Sequence, residues 1–337
     1  MADHALSELD RRIVAALQLD GRSPWSEIAR RAGTTESTAA RRAGRLIEDG
    51  VVRVVGVADP QVCGLGQPVL VQLACPPTEV RSVADALETR PDIRFLTICT
   101  GEWDVVAEVV VPGRDSLGRV LVDELGALPG VHQSSTAVIT RNFKMRHDWS
   151  SALLADLAEE GPGRRELSVP TQPAAVTLDD TDRHILAALA DDGRRSHREL
   201  AEGLDIGETG VRRRVNRLLD TRALVISTVV DPAVLGFELE LIASLKVDLA
   251  RLGDIAARLA DHRQVRYVSA TAGSADLVCE AILPSFADIY PFTTEVLGDL
   301  PGVQRVDVGV ELENRKRAYR PFTSPSTPAR GTDPGNS

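Results

Sequence analysis

Two arginine-bearing segments carry the residue types best suited to chemistry in this chain. The first runs from Thr35 through Arg45 and the second from Thr209 through Arg217. At the helical period, Ala39, Ala43, Leu46 and Ile47 fall on one side of the first segment, and Ser37, Arg41, Gly44, Arg45 and Glu48 on the other. In the second, Val211, Val215, Leu218 and Leu219 oppose Thr209, Arg213, Asn216 and Arg217, with Arg212 at the flank. Hydroxyl side chains at a helix start, followed by arginines, suit duplex DNA. The N-terminal end meets base edges while Arg reaches guanine or phosphate. The candidate DNA-binding residues are therefore Thr35, Ser37, Thr38, Arg41, Arg42 and Arg45, and Thr209, Arg212, Arg213, Arg214, Asn216 and Arg217. Arg42 and Arg214 lie one turn from the apolar side, so a partly buried ion pair that fixes the helix stands beside a phosphate contact. A solvated charged face would use similar residues, but local charge favours DNA. Residues 30–53 hold six Arg against three acids and residues 194–222 eight against five, in a chain whose net charge is −10.

Each segment needs a scaffold, and the chain supplies the same one twice. Asp10-Arg11-Arg12-Ile13 returns as Asp182-Arg183-His184-Ile185, Asp20-Gly21-Arg22 as Asp192-Gly193-Arg194, and Arg41-Arg42 as Arg213-Arg214. Asp59-Pro60 returns as Asp231-Pro232, and Leu128-Pro129-Gly130-Val131 as Leu300-Pro301-Gly302-Val303, always 172 residues on. A shared, gap-free offset marks a tandem duplication. In the first copy, Leu9, Ile13, Ala16 and Leu17 make a helix face that Asp20-Gly21 ends. Ser23 or Ser26 caps a second helix, and Thr35 caps the third, which Gly50 closes. Three short helices with Gly33 in the turn describe a helix-turn-helix. Thereafter the pattern reads β-α-β-β-α-β, a ferredoxin-like antiparallel sheet with both helices on one face. The fold class is α+β, two tandem units, each a winged helix-turn-helix followed by a ferredoxin-like domain. The expected domains are 1–60 and 61–149, a linker at 150–177 with a short helix at 152–160, then 178–232 and 233–320. A Pro/Ser/Thr/Gly-rich disordered tail follows at 321–337.

Composition excludes several other classes. A pI near 5.2 argues against a generally basic nucleic-acid coat and against a binder of anionic membranes. Cys63, Cys75, Cys99 and Cys279 are scattered, with no His at ligand spacing, so neither a disulfide framework nor a zinc site is expected, and no cofactor. No run of 18 apolar residues and no secretory leader pattern occurs. The expectation is a cytoplasmic protein without membrane contact.

The D-R-R-I start, the R-R-x-x-R-L helix, the D-P turn, the G-E-W-D hairpin and the L-P-G-V strand together resemble the Lrp/AsnC (feast/famine) transcription regulators. The likeness covers Leu9 to about Lys144 and Thr181 to about Lys316. It implies DNA-binding heads and effector-sensing domains that dimerise through their sheets, often assemble further, and respond to amino acids or related metabolites. Regulators of that kind normally carry one unit, so this chain resembles a covalent pseudo-dimer, with homo-oligomers of pseudo-dimers as a further expectation. Read locally, Gly101-Glu102-Trp103-Asp104 and Gly273-Ser274-Ala275-Asp276 are hairpin turns whose Asp accepts backbone hydrogen bonds. The resemblance adds an effector site around Gly101, Glu102, Trp103, Asp104, Gly273 and Asp276. Trp103 against Ala275 would make the two sites unequal, with the first unit keeping the better one.

The resulting function is a DNA-binding transcriptional regulator, not an enzyme. It would respond to a small metabolite of amino-acid type and read a quasi-palindromic operator with unequal half-sites. The alternative is a siroheme decarboxylase-like enzyme, since those enzymes resemble the same architecture. The six histidines form no cluster that would serve such chemistry, and only His132 is expected on a sensing-domain strand. A third reading, vestigial DNA heads, is opposed by the helix caps and arginines of both units. Gly44, which stands where the second unit has Asn216, marks the first head as the weaker reader.

Overall fold

The computed structural model describes residues 6–145, 149–150 and 175–321. The short helix expected at 152–160, most of the linker and all but the first residue of the tail lie outside the described residues.

The first head consists of α1 (Glu8–Leu19), α2 (Trp25–Ala32) and α3 (Glu36–Glu48). Ser7 caps α1 by accepting from the Asp10 N–H, and Thr35 caps α3 by accepting from the Thr38 N–H. Between them, α2 begins after Pro24 without a side-chain cap, because the Ser23 hydroxyl donates to Asp20 instead. Gly33 at φ +69° makes the turn into α3. The second head repeats this with α6 (Asp180–Asp191), α7 (His197–Ala201) and α8 (Glu208–Asp220). Asp179 and Ser196 form capping boxes on α6 and α7, whereas α8 starts at Gly207 with no side-chain cap. The recognition helix of the second unit is thus the less firmly capped of the two.

Each head completes its core with residues of the other unit. Ile13, Leu17, Ile28 and Leu46 pack together with Val230, Val234, Leu235 and Phe237. Ile185, Leu189, Val211 and Leu218 pack with Val62 and Cys63. Full burial of each such aliphatic side chain contributes about 1.5–3 kcal/mol, so the crossing is strongly held. The strand after each head takes part in the exchange. β1 (Val52–Ala58) runs antiparallel to β6 (Leu224–Val230) in a two-stranded ribbon that joins the heads. The expected wing strand of each unit therefore has its partner in the opposite unit.

The ferredoxin-like parts follow the expected order. In the first unit these are β2 (Gln67–Ala74), α4 (Val80–Glu88), β3 (Ile93–Cys99), β4 (Val105–Val111), α5 (Arg114–Gly118, continuing as a π-helix over Arg119–Leu125) and β5 (Gln133–Met145). The second unit contributes β7 (Leu239–Val247), α9 (Leu252–Asp261), β8 (Val265–Ala272), β9 (Leu277–Leu283), α10 (Ile289–Pro291, continuing as a π-helix over Phe292–Leu297) and β10 (Val303–Arg317). A short β11 (Arg320–Pro321) pairs with the end of β10. Within a unit the strands lie in the order β3-β4-β2-β5, or β8-β9-β7-β10. Between units, β5 pairs with β8 and β10 with β3, which closes the two sheets into one eight-stranded barrel. The helices pack on its outside, Leu87 joining Leu73, Ile93 and Leu96 in one core, and Leu259 joining Leu241, Val268 and Leu277 in the other. Its inside holds Phe95, Trp103, Ile242 and Val278 together with a set of charged side chains.

Candidate nucleic-acid interface and effector cavities

The recognition helices present the faces their periodicity predicts. On α3, Ala39, Ala43 and Leu46 are buried while Thr35, Ser37, Arg41 and Arg45 are exposed, with Thr38 half-buried. On α8, Val211, Val215 and Leu218 are buried, and Thr209, Arg212, Arg213, Asn216 and Arg217 are exposed. The last five line a shallow groove that also takes in Asp220 and Thr221. Arg42 and Arg214 both make ion pairs within their heads. Arg42 Nη1 lies 2.9 Å from Asp10 Oδ1, and Arg214 Nη1 lies 2.9 Å from Asp182 Oδ1 and 2.7 Å from Asp179. Asp182 is 1% exposed, so its charge requires this pairing, and Arg217 supplies a second partner. Arg41, Arg45, Arg212 and Arg213 extend from the heads without such a buried partner among the described contacts. Arg45 meets Asp49 only at 3.9 Å.

The Asp-Gly-Arg turns, read from sequence as helix ends, also dock the heads against each other. Arg22 Nη1 donates to the carbonyls of Gly193 (2.7 Å) and Arg195 (3.0 Å). Reciprocally, Arg194 donates to the carbonyls of Gly21 and Ser23 and stacks 3.9 Å over the Trp25 ring. Burial lowers the pKa of both guanidinium groups, and Asp20 and Asp192 oppose that shift. Gly193 is required by proximity, since a Cβ there would stand 2.9 Å from the Val55 backbone nitrogen. Exact recurrence of this tripeptide at the repeat offset was the available sequence signal.

The two hairpins meet at the barrel end away from the heads. Asp104 Oδ2 accepts from the Cys75 N–H at 2.9 Å, while Asp276 accepts from the Val247 N–H at 2.9 Å and pairs with Lys246 at 2.7 Å. Gly101 adopts φ +103° against the Val308 carbonyl, and a Cβ on Gly273 would lie 2.5 Å from that of Ala137. Both glycines thus admit a strand of the opposite unit. Glu102 pairs with Arg305 at 2.6 Å. Trp103 is buried against Ala275 inside the barrel, so the largest difference between the hairpins occupies one shared space. A cavity of about 80 Å³ remains there, bordered by Gln72, Glu102, Trp103, Ser244, Lys246 and Asp307 among others.

The barrel end facing the heads holds side chains that the sequence reading passed over. Arg94 pairs with Glu108, and 172 residues on, Arg266 pairs with Glu280 (2.7 Å) and Glu240. Arg317 joins Glu240 at 2.8 Å and Glu311 at 3.0 Å. Both repeated pairs sit on otherwise apolar strands, Ile93-Arg94-Phe95-Leu96 and Val265-Arg266-Tyr267-Val268. A charge recurring inside two such strands was the signal that could have found them. Burial, reinforced by Glu240 and Glu280 and opposed by Arg317 and Arg266, pushes the Glu311 carboxyl up to about 8. Because the folded value lies above the ordinary 4.5, stability from this group is full below 4.5 and falls as pH rises through about 8. Glu311→Gln is expected to flatten this part of the melting-temperature profile; an unchanged slope by calorimetry would rule the assignment out.

All four cysteines are free and buried, and burial raises the Cys63 thiol to about 11. Among the described residues no His/Cys/Asp/Glu group is arranged to hold a metal, and no helix is long and apolar enough to cross a membrane.

Comparison with known proteins follows this geometry closely. An AsnC-type helix-turn-helix domain matches residues 6–47 and again 178–219. An Lrp/AsnC ligand-binding domain matches residues 69–149 and 240–321. The chain belongs to the Lrp/AsnC family. It is a tandem DNA-binding transcriptional regulator of Lrp/AsnC type. An uncharacterised helix-turn-helix-type transcriptional regulator of Pyrococcus abyssi is 33% identical over 136 residues, 40% of this chain and 86% of the relative. The regulator FL11 of the same organism is 30% identical over 141 residues, 42% of this chain and 93% of FL11. Each relative is thus matched over most of its length by less than half of this chain, in which both domains occur twice. Among solved structures, the siroheme decarboxylase NirDL superposes with a TM-score of 0.61 at 16% identity, covering 94% of this chain and 95% of that one. At that identity the likeness is one of fold.

Proposed function

We propose that this Lrp/AsnC regulator works as a covalent pseudo-dimer whose two unequal heads read one quasi-palindromic operator under control of a small metabolite of amino-acid type. The observation that carries this reading is the reciprocal docking of the heads, with the ribbon β1–β6 between them. The domain division at 60, 149, 177 and 232 belongs to it. Ser37, Arg41 and Arg45 contact one half-site, with Thr35 and Thr38 holding the helix start. Thr209, Arg212, Arg213 and Asn216 contact the other, while Arg42, Arg214 and Arg217 also hold the helices in place. A footprint on operator DNA should cover two half-sites; protection of one alone would count against the reading.

For the effector, the residues Gly101, Glu102, Trp103, Asp104, Gly273 and Asp276 surround the far barrel end. Glu102, Trp103 and Lys246 border the space in which ligand charge and bulk would be recognised. Calorimetry with amino acids should show weakened binding after Trp103→Ala and Asp104→Ala, and unchanged affinity in both variants would remove the hairpins from the site. The enzyme reading rests on the shared fold with NirDL, whereas the curated relatives are named as regulators. Absorbance after incubation with siroheme separates the two, a regulator giving no bound tetrapyrrole spectrum.

A further inference from the structure

A cavity of about 140 Å³ lies where the ribbon crosses the head-facing mouth of the barrel. At roughly 10–15 Å³ per water-sized position, it has room for a ligand of on the order of ten non-hydrogen atoms. A tetrapyrrole is several-fold too large. Arg94, Phe95, Glu108, Arg266, Tyr267 and Glu280 line the barrel side; Val57 and residues 227–230 line the ribbon side, next to Trp149.

One lining group asks for an acceptor. Arg266 is buried, and its Nη2 has no hydrogen-bond partner among the described residues, the Glu311 Oε1 standing 3.8 Å away. A buried cationic donor without an acceptor is costly, and a ligand carboxylate would relieve it. Glu280 and Glu108 stand in the same wall and can face a cationic group. Burial holds the Glu311 carboxyl towards its neutral form, and Arg94, Arg266 and Arg317 face Glu108, Glu240 and Glu280 in equal number. A ligand with net charge would therefore bring an uncompensated charge into a buried site, whereas a zwitterion would not. Phe95, Tyr267, Val57 and Val229 offer apolar surface between the charged groups.

We infer that this cavity binds a small zwitterion with an apolar body, in a site separate from the hairpin end, and that its occupant bears directly on the ribbon between the DNA heads. The inference rests on the metabolite-responsive reading above and adds to the hairpin end a second site for that response. Ribbon residues form one wall, so a ligand touching both walls binds best at one ribbon position. Differential affinity of this kind shifts the heads.

The test uses the full chain with Trp25→Phe and Trp103→Phe, which leaves Trp149 beside the cavity as its tryptophan. Its fluorescence is titrated with the proteinogenic L-amino acids, and the tightest binder is compared with its deaminated and decarboxylated analogues. At least one apolar amino acid is expected to give a saturable change, about tenfold tighter than either analogue. The change should vanish in Val229→Phe, or in Val57→Phe from the other ribbon strand should the first variant not fold. Equal binding of an analogue would overturn the zwitterion assignment. A response lost in Asp104→Asn but kept in the ribbon variants would move the site to the hairpins and leave the proposed function intact. Absence of amino-acid binding by calorimetry on the wild-type chain would instead remove the effector reading itself.

Discussion

Replacing Arg213 with alanine is expected to weaken binding to the operator by about 1–3 kcal/mol, roughly fivefold to more than a hundredfold, and to relax selectivity in one half-site. Arg213 is exposed on α8, in line with Thr209 and Asn216 on the groove face. Its neighbours Arg214 and Arg217 hold the buried Asp182, so their loss would disturb the head as well as the contact. Arg213 lacks that second task and gives a cleaner measurement. If it meets a phosphate, all sequences weaken alike and the salt slope drops by about one. If it meets a base edge, one position of one half-site loses its preference. Binding by anisotropy to operators mutated in either half separates these outcomes. Unchanged affinity on every operator would place the DNA contact elsewhere.

The division of labour within the arginine helices shows what a sequence can and cannot disclose. Periodicity alone placed Ala39, Ala43 and Leu46 inside and Ser37, Arg41 and Arg45 outside, because 3.6 residues per turn leave little freedom once the apolar side is fixed. The ferredoxin-like strand order was legible for the same reason, each strand and helix having its own period. Contacts between the units were not. The partners Arg22 and Gly193 are 171 residues apart, and nothing local in Asp20-Gly21-Arg22 separates a helix stop from a docking turn. The hairpin glycines were read as turn residues, and their proximity to β5 and β10 became visible only when both sheets closed. Arg94 and Arg266 escaped notice because a charge within an apolar strand has meaning only once a facing glutamate is known.

The second large effect concerns the docking turns. Arg22→Ala together with Arg194→Ala removes four hydrogen bonds and the stack on Trp25 while leaving both heads their own cores. Two heads held at one separation bind the second half-site as an intramolecular event, and loosening them dilutes that advantage. Affinity for a two-half-site operator is expected to fall about tenfold, the ribbon retaining part of the restraint. A sharper readout is spacing. The wild-type chain should bind poorly when about half a helical turn of DNA is inserted between half-sites, and the double variant should tolerate the insertion better. Identical spacing preference in both proteins would show that the arginines do not set the separation.

Selection of the full chain against random DNA tests the central claim most directly. Two heads of different composition, joined in one chain and docked through Arg22 and Arg194, should enrich paired half-sites of unequal sequence. Their centre-to-centre distance should be constant, near one turn of the duplex or a multiple of it, about 10–10.5 base pairs. Enrichment of a single half-site, of paired sites at variable distance, or of no sequence at all would contradict the account.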